Sequence, residues 1–448
     1  MTVHGRPGAH RPGRRPDNEP PHRGVIVTSR TGQTSTLIRN ARVLDVHAGT
    51  YAEGASILIT DDVIAEVGGS EVKALAESTV VDAGGRTVLP GLTDAHVHVT
   101  ACTADLSAQA EWSPAYVAAR AGHILRGMVR RGFTTVRDMG GADYGLAEAV
   151  GEGYLPGPRL LFGGKAISQT GGHADMRHRG RTVADEHPHC PAIGVVCDGV
   201  DQIRKTVRDQ LRTGAHHTKL MLSGGVASPT DRGDSTQLSL DEIRAAVEEA
   251  EAANRYVAGH AYTARAINRA LRLGVRSIEH GNLLDETSIE LFNQHKAFYV
   301  PTLVTYRTLA AEGPRHGLPA DSHRKVSHVL EHGLRALELA HRGGVEIVFG
   351  TDLLGGMHVR QAEEFTIRAE VQPPIDIIRS ATCVAARLVG LEGLIGEITP
   401  GAYADILMVE GDPLENVTVL ARPNKHLRLV MKAGQVMYRS ELDLVGGP

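Results

Sequence analysis

The chain has 448 residues, enough for two or three domains or for one large α/β barrel with additions. Apolar residues other than glycine make up 42%, which excludes collagen-like and disordered classes. A net charge of −4 argues against a nucleic-acid partner, and no window approaches the roughly 18 apolar residues of a membrane span. The composition therefore predicts a globular protein that acts on small, neutral or mildly charged molecules.

The N-terminal region differs from the rest of the chain. It is rich in arginine, proline and glycine, and its Arg14-Arg15 pair precedes polar residues, where a secretory signal would have an apolar stretch. We expect residues 1–24 to be a disordered tail. The 4 cysteines, at positions 102, 190, 197 and 383, are too sparse for a disulfide framework and form no Cys-x-x-Cys pair, which favours a reducing, cytoplasmic location.

Short β-rich runs occur at both ends of the remaining chain. The first group comprises residues 36–38, 41–45, 55–59, 63–67 and 79–82, and the second comprises 404–409, 427–432 and 435–438. Turn residues separate the runs, as in a meander of antiparallel strands. We predict a small β-sandwich built from residues 25–89 and 391–448.

Residues 90–390 repeat a different unit, in which a short apolar strand and a loop precede an amphipathic helix. Ser239 and Glu242 form a capping-box pair at the start of one such helix, and Gly343 would end another. No Gly-x-Gly-x-x-Gly opens a helix after a strand, which disfavours dinucleotide-binding sheets. The fold class is therefore predicted to be α/β, with a (β/α)8 TIM barrel over residues 90–390.

Polar residues stand at the predicted strand ends, where a barrel of this type builds its active site. His96 and His98 lie two apart in a strand and share a face, so they either chelate one metal ion or are two hydrogen-bonded histidines. The apolar runs 256–260, 275–281 and 345–352 carry His260, His280 and Asp352 at or near their ends. Together these residues indicate a metal site.

Lys219 lies inside an apolar run, and a buried ammonium group is costly unless it is paired or chemically altered. One interpretation is that the side chain extends to the mouth of the barrel. The other is that CO2 has added to Lys219 to give a carbamate, an anionic group able to bridge two metal ions. The neighbouring His217 would share its strand face.

The combined pattern resembles the binuclear subtype of the amidohydrolase superfamily. Segment 89–98 is similar to its first-strand signature, and segment 396–406 resembles its returning C-terminal segment. The resemblance implies two divalent ions, expected to be Zn2+, bridged by N6-carboxylated Lys219. The implied ligands are His96, His98 and Asp352 for the more buried ion, and His260 and His280 for the more exposed one.

Segments 134–138, 171–175, 219–225 and 260–262 resemble a subgroup containing Xaa-Pro dipeptidases, carboxypeptidases and ochratoxin-type amidases. This implies cleavage of a peptide or amide bond in a dipeptide or N-acyl amino acid with a free C-terminal carboxylate. The implied nucleophile is a hydroxide shared by the two ions, with Asp352 as general base and then general acid. A homo-oligomer is expected.

Two further side chains are predicted near the substrate. His173 follows a Gly-Gly pair and either stabilises the developing oxyanion, contacts substrate, or is a loop histidine at the surface. Tyr262 would face the pocket of His260 and bind a substrate carboxylate or carbonyl, unless it only packs in the core.

Alternatives remain open at this point. The same fold supports hydrolysis of a carbamate, urea or lactone, mononuclear deaminases or imidazolone-type hydrolases that lack a bridging lysine, and barrels that have lost their metals. His328 and His332 lack the glutamate of a His-Glu-x-x-His zinc helix and are predicted on a solvated helix face. Residues 187–190 are predicted to be an exposed loop.

Overall fold

The structure is a computed structural model that describes residues 34–181 and 191–441. The predicted tail over residues 1–24 and the predicted loop 187–190 lie outside the described residues. So do residues 25–33 and 442–448 of the predicted end domains, and the side chain of His328.

β-Strands make up most of the start of the described chain. They are β1 (Ser35–Asp45), β2 (Thr50–Thr60), β3 (Val63–Gly68), β4 (Thr79–Asp82) and β5 (Thr87–Pro90). β2 pairs antiparallel with β1 and β3, whereas β4 and β5 lie parallel to β1, so the predicted antiparallel meander holds only for the first three strands. The two runs predicted at 36–38 and 41–45 form the single strand β1. Its register with β2 shifts after Ile38, and Asn40 has a φ of 53°, a left-handed conformation that asparagine tolerates well. The polar interruption is therefore a bulge and not a turn.

The middle of the chain contributes parallel strands. They are β6 (Leu92–Val97), β7 (Phe133–Asp138), β8 (Arg159–Phe162), β9 (Ala166–Ser168), β10 (Gly194–Val196), β11 (Thr218–Met221), β12 (Val257–Thr263), β13 (Ser277–Leu283), β14 (Phe298–Val300) and β15 (Glu346–Ile347). Among the described residues they form a 3-stranded sheet, β6-β7-β8, and a 7-stranded sheet, β10-β9-β11-β12-β13-β14-β15. Individual backbone bonds connect the two sheets: His216 donates to the Phe162 carbonyl and Ala95 to the Phe349 carbonyl, both at 2.8 Å.

Helices alternate with the parallel strands, as the sequence predicts. The helices are α1 (Leu106–Gln109), α2 (Pro114–Arg130), α3 (Tyr144–Gly151), α4 (Val200–Arg212), α5 (Leu240–Ala252), α6 (Ala264–Arg272), α7 (Glu286–His295), α8 (Leu303–Glu312), α9 (Ala320–Arg342), α10 (Glu363–Arg368), α11 (Pro374–Ser380), α12 (Cys383–Val389), α13 (Thr418–Ala421) and α14 (Pro423–His426). The capping box of α5 is confirmed, with Ser239 and Glu242 bonded reciprocally, and Gly343 follows α9 as its C-cap. The mixed α/β class with parallel strands is therefore confirmed.

The last strands return to the first. They are β16 (Ile406–Val409), β17 (Leu427–Lys432) and β18 (Gln435–Arg439). The described strands of both ends form one 8-stranded sheet in the order β18-β17-β16-β5-β1-β2-β3, with β4 also paired to β1. Ile406 lies opposite Pro90 of β5 and packs in a cluster with Ile38, Ile57 and Met431. The two chain ends therefore share a sheet and a core.

The described residues bear on two features of the sequence, its hydropathy and its cysteines. In these ranges no helix is both long enough and apolar enough to cross a bilayer. Three of the cysteines, Cys102, Cys197 and Cys383, are buried, while Cys190 lies outside the described residues.

The shared sheet predicts the effect of shortening a side chain in β16. Ile406 is fully buried, so Ile406→Ala should lower the free energy of unfolding by about 2–5 kcal/mol. Chemical denaturation measures the loss. Val436→Ala, at a position of β18 that is 53% exposed, is the matched control and should change the value by less than about 0.5 kcal/mol. Equal effects of the two variants would contradict a common core for the two chain ends.

Candidate metal centre

The predicted metal ligands converge at one edge of the parallel sheets. His96 lies in β6, Lys219 in β11, His260 in β12 and His280 in β13, and all of them are buried. Asp352 follows β15, and its side chain is 20% exposed. The strands therefore bring together residues that are far apart in the chain, as the sequence analysis predicts.

Asp352 is at the centre of this group. Its Oδ1 lies 3.4 Å from Nε2 of His96 and 3.3 Å from Nε2 of His98, and its Oδ2 lies 3.9 Å from Nδ1 of His280. Ligand atoms of His96, His280 and Asp352 lie within 4.8 Å of one another, close enough to hold one ion. Imidazole nitrogen and carboxylate oxygen are donors that suit Zn2+ and similar divalent ions.

Hydrogen bonds orient the first pair of histidines. Nδ1 of His96 lies 2.8 Å from Oε2 of Glu279, and Nδ1 of His98 lies 2.9 Å from the Gly140 carbonyl oxygen. A carboxylate and a carbonyl only accept, so both Nδ1 atoms carry the donated proton. In the neutral rings, both Nε2 lone pairs are then available beside Asp352, as metal ligation requires.

The backbone is unusual at two of these residues. His280 has a φ of 73° and Asp352 a φ of 53°, both in the left-handed region that residues with a side chain rarely adopt. The Asp352 amide donates to the His96 carbonyl at 2.8 Å, which fixes the turn after β15 against β6. Strain of this kind is retained where surrounding contacts fix a side chain for function.

His260 and His280 form the other side of the group. Their ring centroids are 4.6 Å apart, and Nε2 of His260 donates to the Gly224 carbonyl at 3.1 Å, which leaves its Nδ1 as the ligand atom. Burial lowers the pKa of both imidazoles well below the usual value. Both rings are therefore neutral, the form that ligates a metal.

Lys219 is 1% exposed, and its side chain forms no ion pair with the described residues. Burial lowers its pKa to about 8, against the opposing charges of Glu279 and Asp352. The lowered pKa increases the uncharged fraction of the amine near neutral pH, and an uncharged amine is the form to which CO2 adds. The side chain fits the predicted carbamate, and the interpretation of a lysine that extends to solvent does not apply.

His173 and Tyr262 both lie beside the group. The His173 ring stacks on His260 with centroids 4.2 Å apart, and it is 8% exposed, so it is not a surface histidine. Tyr262 is buried, and its ring centroid lies 5.5 Å from that of His280. The hydroxyl of Tyr306 donates to the Tyr262 hydroxyl at 3.1 Å.

His217 is also buried, and neither of its ring nitrogens has a hydrogen-bond partner among the described residues. Its ring stacks on Tyr256, with centroids 5.8 Å apart. The predicted support of Lys219 by His217 stays a prediction.

Sequence reasoning missed several residues that shape the site. Arg137 and Glu279 form an ion pair at 2.8 Å inside buried strands. A charged residue within an apolar run is the pattern that singled out Lys219, and it could have identified these two residues as well. Thr302 bonds Nδ1 of His280 at 2.7 Å. Lys325 gave no signal, because its partners lie about 100 positions earlier in the chain.

Lys325, in helix α9, ties down the loop that follows β11. Its Nζ donates to the carbonyl oxygens of Gly225, Ser228 and Asp231 at 3.3, 3.0 and 2.8 Å. Ser228 in turn bonds Nδ1 of His173 at 2.8 Å, and an Asp231 carboxylate oxygen lies 3.5 Å from the same nitrogen. Helix α9 therefore holds the loop that supports His173.

Comparison with known proteins agrees with this geometry. Residues 87–437 match the amidohydrolase family, and the chain belongs to this family. The resemblance drawn from the sequence is confirmed. Amidohydrolases are generally metal-dependent, and the His96, His280 and Asp352 group is a site that could hold an ion.

Several relatives are similar over most of their length. Ochratoxinase of Aspergillus niger is 31% identical over 92% of this chain and 89% of its own. A solved prolidase in complex with N-methylphosphonate-L-proline is 46% identical with a TM-score of 0.89, covering 91% of this chain and 100% of that chain. A solved Xaa-Pro dipeptidase with methionine bound in its active site is 29% identical with a TM-score of 0.81, covering 91% and 100%. The protein is accordingly a hydrolase that acts on C–N bonds.

The contacts of Lys325 predict a local effect on the loop of residues 223–236. Lys325→Met removes the ammonium group that donates to three carbonyl groups of this loop. The loop amides should therefore exchange with solvent faster, whereas the exchange rates of the β11 and β12 amides should not change. Displacement of His173 should also lower the rate of catalysis, by about 100-fold for a shift near 1 Å. Hydrogen exchange followed by mass spectrometry measures the first effect. Arg335→Met, at an exposed position of the same helix, is the control, and equal protection in both variants would contradict this role of Lys325.

Proposed function

We propose that the protein is a binuclear metal-dependent amidohydrolase. Its substrates would be dipeptides or N-acyl amino acids with a free C-terminal carboxylate, as in Xaa-Pro dipeptidases and ochratoxin-type amidases. The observation that carries the proposal is the convergence of histidine side chains on the Asp352 carboxylate beside a buried lysine. The similarity to the prolidase with its bound proline phosphonate supports the substrate class.

The donor set would divide into two groups of ligands. His96 and His98 would hold one ion, with Asp352, and His260 and His280 would hold the other. Carboxylated Lys219 would bridge them. The scaffold would be a closed (β/α)8 barrel carrying a small β-sandwich, which the backbone bonds between the two parallel sheets and the sheet shared by both chain ends support.

When bound, the two ions would polarise the scissile carbonyl and lower the pKa of a water nucleophile. Asp352 would accept the proton of this water and return it to the nitrogen of the leaving amine, because an unprotonated amide nitrogen leaves poorly. Imidazole contacts hold the pKa of the Asp352 carboxyl well below its usual range, although burial alone would raise it. The group is therefore ionised, the form that a general base requires.

His173 would stabilise the oxyanion. The hydroxyl of Ser228 donates to Asp231, so its oxygen accepts from Nδ1–H of His173. A neutral ring would then present an acceptor at Nε2, whereas an imidazolium presents a donor there. Asp231, 3.5 Å from Nδ1, would balance the charge of the imidazolium that this role needs. The Tyr262 hydroxyl would bond a substrate carboxylate or carbonyl.

A cavity of about 400 Å³ adjoins Tyr262 and would receive the substrate. Val226, Leu283 and Val329 give it an apolar wall, which suits an apolar side chain. Arg232 lines the same cavity and pairs with Asp234 at 2.7 Å, so a substrate carboxylate would bind this guanidinium by displacing Asp234.

The proposed substrate class predicts the outcome of a screen. Protein loaded with Zn2+ in the presence of bicarbonate should release amine from Xaa-Pro dipeptides and N-acyl amino acids, and C-terminally amidated versions should react much more slowly. Detection of the free amine measures turnover. If only aryl carbamates, ureas or lactones react, the peptidase assignment fails while the hydrolytic site stands.

The bridging role of Lys219 makes a second prediction. Lys219→Ala should lower the metal content from about two ions per chain to about one or none, and should lower activity at least about 100-fold. Elemental analysis after dialysis measures the metal content. Lys205→Ala, at an exposed position of α4, is the control. Full activity of Lys219→Ala, or one ion per chain in the active wild-type protein, would contradict a binuclear site.

A further inference from the structure

A buried pair of opposite charges lies behind the predicted metal ligands. Arg137 in β7 and Glu279 in β13 are both fully buried, with Nη2 of Arg137 2.8 Å from Oε1 of Glu279. Arg137 also donates from Nε to the Ala95 carbonyl at 2.6 Å and from Nη1 to the Ser277 hydroxyl at 3.1 Å. The guanidinium is therefore fixed from several directions.

The two oxygens of Glu279 have different partners. Oε1 accepts from Arg137 and from the Ser277 hydroxyl, the latter at 2.7 Å, and Oε2 accepts from Nδ1 of His96 at 2.8 Å. A buried ion pair often stabilises a fold no better than apolar side chains of similar volume. The arrangement does, however, give the carboxylate one orientation, and that orientation decides which nitrogen of His96 carries its proton.

We propose that Glu279, oriented by Arg137, is a positioning residue that fixes the tautomer of His96 and thereby sets the metal affinity of the site. The inference rests on the proposed function only in requiring that His96 ligates a metal. A neutral imidazole has one N–H, and a carboxylate cannot donate, so the proton stays on Nδ1 and the lone pair of Nε2 points toward Asp352. With the proton on Nε2, the nitrogen beside Asp352 would have no lone pair for a cation.

The two histidines of the His-x-His pair differ in this respect. His98 donates to the backbone carbonyl of Gly140, a partner that no side-chain substitution removes. His96 depends on a side chain, so its tautomer can be changed by substitution. Glu279→Gln does this directly. Arg137 can only donate, so it keeps the glutamine oxygen, and the NH2 group of the glutamine then faces His96 and forces Nδ1 to accept.

Metal titration of the dialysed protein with Zn2+, without substrate, tests the proposal. Glu279→Gln should weaken the affinity by about 10- to 100-fold, the range usual for loss of a group that orients a metal ligand. The ¹⁵N chemical shifts of the metal-free protein should show the proton of His96 moving from Nδ1 to Nε2. Asp405→Asn is the control, since Asp405 is a buried carboxylate paired with Arg159 at 2.7 Å and contacts no predicted ligand.

Two double variants separate orientation from stability. Arg137→Met/Glu279→Gln frees the glutamine to offer its oxygen to His96, so metal affinity should recover to near the wild-type value. Arg137→Met/Glu279→Met loses the same charge pair and has no acceptor, so affinity should stay low. This comparison decides the matter even if Glu279→Gln does not fold, because both double variants avoid a lone buried charge.

Equal metal affinities in the two double variants, or unchanged affinity in folded Glu279→Gln, would overturn the proposal. Failure of the proposed function is distinguishable from this result. A wild-type protein that binds Zn2+ but hydrolyses no amide contradicts the function and leaves the role of Glu279 intact.

Discussion

The site depends on one largely buried carboxylate, that of Asp352, which imidazole groups surround. Asp352 contacts His96, His98 and His280, which come from β6, the turn after it, and β13. Its amide also donates to the His96 carbonyl, so backbone and side chain fix the same turn. Without positive or metal-ligating neighbours, burial would neutralise this carboxyl and the residue could not act as a base. The convergence of the strands is what keeps it ionised.

The hydrogen bonds of the histidines around this carboxylate fix which ring nitrogen carries the proton. Each Nδ1 of the His-x-His pair meets an acceptor, and the acceptor for His96 is itself held by Arg137. Burying such groups costs free energy, which the apolar clusters between the sheets and helices offset. Arg137 and Glu279 thus stay charged in the interior, although apolar side chains there would cost less free energy. We attribute this to their role in orienting His96.

Much of this could be predicted from the sequence because its signals are local. The capping box of Ser239 and Glu242, the β-rich runs and the His-x-His spacing each depend on residues close together in the chain. Long-range choices could not be predicted. Nothing in the sequence near Asn40 indicates that β1 continues through a bulge, since its neighbours in β2 decide the register. The partners of Lys325 are likewise set by how α9 packs.

The proposed metal ligation and the proposed substrate binding depend on different parts of the described chain. Predicted ligands stand on buried strands whose hydrogen bonds leave little freedom, whereas the cavity beside Tyr262 is walled by the loop 223–236. That loop is held through side-chain contacts of Lys325 and Asp231, with few backbone ladder bonds of its own. Substitutions in the loop can therefore reshape the cavity without moving the strands. Because Ser228 and Asp231 also support His173, such changes alter catalysis and substrate preference together.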